Sequence, residues 1–128
     1  MRILLDTHIL LWALVEPTRL PGKARSHIEN DTNEILFSAA SIWEIAIKAQ
    51  SGRIDFTVSP DEITATAEAT GFNELRVSAK HGAAVRSLPL HHRDPFDRLL
   101  VAQAISEPAR LLTVDSVLGL YSELVEVL

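Results

Sequence analysis

Cysteine is absent from the 128 residues. Its absence excludes disulfide staples, thiolate nucleophiles and cysteine-bound zinc together, and suits a reducing compartment. Glycine and proline are scarce, at 5 and 6 residues, which excludes collagen-like and low-complexity chains. Long hydrophobic runs are missing as well. The longest unbroken one, Ile9 to Val15, falls far short of the ~20 residues that cross a bilayer. Asp6 and His8 interrupt the approach to it, and Glu16-Pro17 stands where a signal-peptide cleavage site needs small residues. The expectation is a cytoplasmic protein with no membrane partner.

Basic residues are outnumbered, 12 against 17 acids, for a net charge of -5. Phosphate binding is driven by Lys and Arg, so this balance speaks mildly against nucleic acid. Acids gathered around a metal would produce the same total and leave a basic rim elsewhere. Hydrophobic residues make up 47% and charged residues 23%, enough apolar material to fill a core and too much for a disordered chain. The length suits a single domain over residues 1–128.

Short apolar runs alternate with helical stretches along the chain. Strands are expected at Arg2–Asp6, Glu34–Phe37, Glu74–Val77, Arg110–Val114 and Leu124–Val127. Helices are expected at His8–Val15, Gly22–Asn30, Ala39–Ser51 with Gly52 as its stop, and from Ser59-Pro60 to near Gly71. Further helices follow from Ser78 to about Ser87, from Asp94-Pro95 to about Ile105, and briefly over Ser116–Tyr121. Ser59 and Glu62 have capping-box spacing, with Pro60 at the first helical position. Strands and helices in alternation imply βαβ units: an α/β fold whose parallel sheet carries helices on both faces.

Such a sheet binds ligands beyond the carboxyl ends of its strands. Asp6 and Asp115 both stand there, each directly after an apolar strand. Either alone reads as a helix cap; two on one edge point to a site. Glu44 lies in a helix that is apolar nearly all round, between Trp43 and Ile45. An exposed pair with Lys48 is the plain reading, but such a helix offers little solvent-facing surface, so Glu44 is expected to face a polar cleft. Asp97 shares a helical face with Leu100, Val101 and Ala104. It is also placed to favour the helix dipole beside the cap Asp94, but its apolar stripe directs it inward.

Four carboxylates in one place repel, by roughly 3 kcal/mol per pair at ~5 Å and an effective dielectric of ~20. A divalent cation relieves this. An all-oxygen donor set suits a hard ion, Mg²⁺ or Mn²⁺, which activates water and steadies phosphoryl charge. His91-His92 are adjacent, share no face and lack zinc spacing, and read as loop or RNA contact ahead of ligand. Trp12 and Trp43, in apolar helices, read as core.

Leu4-Leu5-Asp6-Thr7-His8, Ser38-Ala39-Ala40-Ser41-Ile42-Trp43-Glu44-Ile45 and Asp94-Pro95-Phe96-Asp97-Arg98-Leu99-Leu100-Val101-Ala102-Gln103-Ala104 together resemble the PIN domain, most of all its VapC-type toxin ribonucleases. The resemblance spans essentially the whole chain and keeps the order of acids. It implies a Rossmann-like PIN fold and a Mg²⁺- or Mn²⁺-dependent endoribonuclease. The family's four acids fall on Asp6, Glu44, Asp97 and Asp115, and its hydroxyls on Thr7 and Thr113. It also implies a homodimer and a cognate antitoxin that blocks the acidic cleft. Only Ser116, Val117 and Leu118 follow Asp115, without the extra polar residues some members carry, so direct, water-mediated and indirect roles for Asp115 stay open. Lys48, Arg93 and Arg98 are candidates to touch RNA phosphate.

Two other function classes compete. An acid-rich phosphohydrolase with Asp6 as nucleophile would want a second Asp two residues on, where His8 stands. A catalytically silent PIN-like module would bind RNA or protein without cutting, yet all four acidic positions are filled.

Overall fold

The computed structural model describes residues 1–53 and 58–128. Five parallel strands form one sheet in the order β3-β2-β1-β4-β5. They are β1 (Arg2–Leu5), β2 (Glu34–Ser38), β3 (Asn73–Leu75), β4 (Arg110–Thr113) and β5 (Val125–Val127). The helices are α1 (Thr7–Leu14), α2 (Gly22–Glu29), α3 (Ala39–Gln50), α4 (Pro60–Thr70), α5 (Ala79–Ala84) and α6 (Pro95–Ser106). Every strand and helix expected from the sequence is present, with ends shifted by a residue or two. The stretch up to Ser87 closes as a 3-10 turn, Val85–Ser87, and Ser116–Leu120 is 3-10 rather than α.

Alternation along the strands splits the core in two, because successive side chains leave a strand on opposite faces. Ile3, Leu5, Ile35, Phe37 and Leu112 meet Ile9 and Leu10 of α1, Ala24 of α2, Ile45 of α3 and Ile63 and Ala67 of α4. On the other face Leu4, Leu36, Leu75, Leu111 and Val125 meet Leu100, Val101 and Ala104 of α6, with Leu118. The register pairs Leu4 with Leu36 on one side and Leu111 on the other. A slip by one residue would drive these leucines to the wrong face. Covering both faces is what an all-parallel sheet requires, and it explains why the strands read as near-continuous apolar runs.

Caps set the helix ends. Asp6, Ser38, Ser59, Ser78, Asp94 and Asp115 each accept a backbone N–H at the start of the helix or 3-10 turn that follows. Ser78 and His81 cap reciprocally, Ser78 Oγ accepting from His81 N at 3.3 Å and His81 Nδ1 from Ser78 N at 3.1 Å. Gly71 ends α4 at φ +100°, a left-handed turn that side chains disfavour. Among the described residues no helix is long and apolar enough to cross a membrane.

From β1 the chain builds outward through β2 and β3, then returns to lay β4 and β5 on the other side. The direction of winding therefore reverses between β1 and β4. Loops leaving those two strands part in opposite directions and open a crevice at their carboxyl ends.

Candidate active site

The crevice is lined by the acids that the sequence singles out, joined by hydroxyls and one imidazole. Asp6 follows β1 and is 6% exposed. Its Oδ1 accepts from Thr7 N at 2.8 Å, and its Oδ2 accepts from the Thr113 hydroxyl at 2.6 Å. The Thr7 hydroxyl lies 2.7 Å from Glu44 Oε1 and 2.9 Å from Ser41 Oγ. A hydroxyl has one proton, and the carboxylate can only accept, so Thr7 donates to Glu44 and Ser41 donates to Thr7. Thr113 Oγ1 in turn accepts from Asp115 N at 3.0 Å. Thr7, Ser41 and Thr113 are all buried, so their rotors are committed to these partners.

Burial pushes the Asp6 carboxyl above its ordinary range, and the nearby Glu44 charge adds to this. The bonds from Thr113 and Thr7 N and the neighbouring His8 oppose the rise. Glu44 is buried and receives Lys48 Nζ on Oε2. The pair read from the i,i+4 spacing exists, but it is not an exposed one: the side chains are 4% and 19% accessible. Lys48, expected at RNA phosphate, is thus committed to Glu44.

Asp97 sits in the first turn of α6, one turn from the cap. Asp94 Oδ1 accepts from Phe96 N at 2.8 Å and Asp97 N at 3.2 Å, as Pro95 at the first helical position leads one to expect. Asp94→Ala should therefore cost about 1 kcal/mol of stability, measurable by denaturant unfolding, while Asp94→Asn keeps the cap and the activity. The Asp97 carboxylate itself accepts no hydrogen bond from the described residues; its ion-pair neighbour is His92 Nε2 at 3.5 Å. Burial raises its pKa from the ordinary 3.8 to about 8, with Asp6, Asp94, Glu44 and Asp115 adding their repulsion. A bound cation would relieve the repulsion on Asp97.

His92, read from the sequence as loop or RNA contact, also reaches the acids. Its Nδ1 accepts from Asp94 N at 3.0 Å, which places the ring proton on Nε2. That nitrogen lies 2.9 Å from Asp115 Oδ2, while Asp115 Oδ1 accepts from Val117 N at 3.0 Å. Side-chain atoms of His92, Asp97 and Asp115 all lie within 4.8 Å of one another. Spacing could not reveal this, since it depends on the 92 loop folding back onto the end of β4.

Two further expectations need correction. Arg98, read as a phosphate contact, is 9% exposed and serves structure. Its guanidinium donates to the carbonyls of Pro89 at 2.9 Å, Val85 at 3.2 Å, Leu88 at 3.4 Å and His92 at 3.5 Å, and to the Tyr121 hydroxyl at 3.2 Å. It ties the 85–92 segment to α6. Trp43, read as core, is 59% exposed, its ring edge-on to Phe96 at 5.1 Å beside a cavity of about 300 Å³ lined with Val85, Pro95 and Leu99. Arg93 is exposed.

The geometry joins Glu44, Thr7, Asp6, Thr113, Asp115, His92 and Asp97 in one line across the crevice. The chain matches the family model described as "PIN domain" over residues 3–123. It is 32% identical over 114 residues to ribonuclease VapC22 of Mycobacterium tuberculosis, covering 88% of this chain and 86% of the relative. Among solved structures, it superposes on a chain of the VapBC2 crystal structure from Rickettsia felis bound to a DNA fragment from their promoter. The TM-score there is 0.73 at 18% identity, over 100% of this chain and 99% of that one. At that identity the likeness speaks for the fold alone.

Proposed function

This chain belongs to the PIN-domain family, and from that premise we propose that it is a divalent-metal-dependent endoribonuclease, the toxin of a VapBC-type toxin–antitoxin pair, acting in the cytoplasm. The observation that carries the reading is the convergence of Asp6, Glu44, Asp97 and Asp115, from four separate elements, on the crevice between β1 and β4. A fold that only needed caps would not leave Asp97 half-buried, without a hydrogen-bond donor, and pushed up to about 8 by burial and by the charges around it.

The donor set fits a hard cation. Its ligating groups are carboxylates, no cysteine is present, and Mg²⁺ and Mn²⁺ prefer oxygen. When bound, such an ion lowers the pKa of water and neutralises charge on a phosphoryl oxygen. Asp6, Glu44 and Asp97 would hold it, with Asp115 as the fourth acid. Thr113 and Thr7 fix the rotamers of Asp6 and Glu44 before substrate arrives. Arg93 is exposed beside His92 and would be the cation that meets an RNA phosphate; Lys48 and Arg98 are engaged inside.

As partners we propose RNA as substrate, a second copy of the chain, and an antitoxin that covers the acidic cleft with a basic side chain. The test is incubation of purified, antitoxin-free protein with total RNA in Mg²⁺, Mn²⁺ or EDTA, followed by mapping of the new ends. Cleavage at defined sites with metal and none in EDTA is the expected outcome. Intact RNA under every condition would leave a silent binding module as the reading.

A further inference from the structure

His92 has no part in the resemblance and none in the acid set, yet its ring nitrogen reaches the carboxylates of two of the four acids. It bridges elements far apart in the sequence: the end of β4 through Asp115 at 2.9 Å, and the first turn of α6 through Asp97 at 3.5 Å. Its orientation is fixed from three sides. The Asp94 amide holds Nδ1, its own amide donates to the Tyr121 hydroxyl at 2.8 Å, and Arg98 grips its carbonyl. A ring whose Nδ1 accepts a backbone N–H, and whose Nε2 carries the proton, has no lone pair to offer a cation. What it offers is a donor, aimed at carboxylates that would otherwise repel one another.

We propose that His92 is a positioning residue for the acidic cleft: one N–H holds Asp115 and faces Asp97, gathering the two carboxylates before a cation binds, and Asp115 acts on the cation through this link. The inference rests on the reading that the cleft takes a divalent ion. It also gives Asp115 an indirect role, one of the three that the resemblance leaves open.

The substitution His92→Asn separates the two halves of the arrangement. Asn at this position can still accept the Asp94 amide in an Asx turn, so the loop is kept, but its side chain is too short to reach Asp115. Asp115→Asn keeps the cap on Val117 and removes the charge that His92 holds. Metal-free wild type, both single variants and the double variant would be titrated with Mn²⁺ by calorimetry. Each single variant should weaken binding about tenfold, the lower end of what loss of a ligand-orienting partner costs, and the double variant should be no weaker than either. Additive losses, or unchanged or tighter binding by His92→Asn, would overturn the proposal.

A second readout needs neither metal nor a variant that folds. Ring nitrogen NMR of the metal-free wild type should place the His92 proton on Nε2. A ring protonated on Nδ1, or exchanging between tautomers, overturns the proposal even where His92→Asn fails to fold. A wild type that binds no Mn²⁺ instead overturns the metal reading, and the ring spectrum tells the two failures apart.

Discussion

Asp97→Asn should remove metal binding and lower RNA cleavage by about 100-fold or more, the scale on which losing one charge-stabilising group acts, while making the metal-free protein more heat-resistant near neutral pH. The two effects have one cause. Asp97 is held in its protonated form by burial and by the charges of Asp6, Asp94, Glu44 and Asp115, with its pKa near 8 against the ordinary 3.8. Between those values the folded chain binds more protons at this site than the unfolded chain. Stability of the metal-free wild type therefore falls as pH rises from about 4 to about 8. Asparagine keeps the shape and carries no charge, so its melting curve lacks this contribution. The gap between variant and wild type should open across that window and stay level above pH 8. With saturating Mg²⁺ the order reverses, because the ion takes the place of the protons and binds the folded wild type alone. Thermal melts at pH 5, 6, 7 and 8, with EDTA and with Mg²⁺, check both halves. Parallel curves in EDTA, or normal cleavage by the variant, would show that Asp97 is merely a helix-dipole acid.

That such an experiment can be framed around one residue reflects how much of the site is legible in the chain. Asp6 and Asp115 each follow an apolar strand in the sequence, and the order β3-β2-β1-β4-β5 sets those strand ends side by side. Pro95 marks the first helical residue and thereby Asp94 as the cap before it, which distinguishes Asp97. These inferences work because caps, strand periodicity and crossover rules are local or topological. Tertiary contacts are not local in this way. The helix of Trp43 is apolar nearly all round, and hydrophobic pattern cannot say which of its apolar faces stays open; here Trp43 meets Phe96 at the surface. Arg98 has the composition of a phosphate ligand and the surroundings of a structural one, since five oxygens from one loop and Tyr121 surround its guanidinium. His92 depends on that same loop. Only closure of residues 85–92 over α6 brings an imidazole to Asp115, and no spacing encodes it.

Glu44→Gln should also stop cleavage, but with a stability cost that Asp97→Asn does not carry. Asp97 is short of donors, whereas Glu44 has both oxygens engaged, one by the Thr7 hydroxyl and one by Lys48. A glutamine can turn its carbonyl toward Lys48 and its amide toward Thr7. The Thr7 hydroxyl would then accept from that amide and turn its proton to Ser41, 2.9 Å away, so the contacts of this side chain are kept while the Ser41 proton turns elsewhere. What is lost is charge. Lys48, only 19% exposed, would keep an ammonium beside a neutral amide. Losing one partner of a fully buried pair costs about 3–5 kcal/mol. Partial exposure of Lys48 and relief of the repulsion that Glu44 exerts on Asp6 and Asp97 reduce that to about 1–2 kcal/mol. The variant should melt a few degrees lower, by the usual scaling of about 3–5 °C per kcal/mol for a chain of this size. Adding Lys48→Met removes the orphaned charge and should restore the melting temperature without restoring cleavage. Recovery of cleavage in the double variant, or normal cleavage by Glu44→Gln alone, would mean that Glu44 serves the fold through Lys48 and leaves the chemistry to the aspartates.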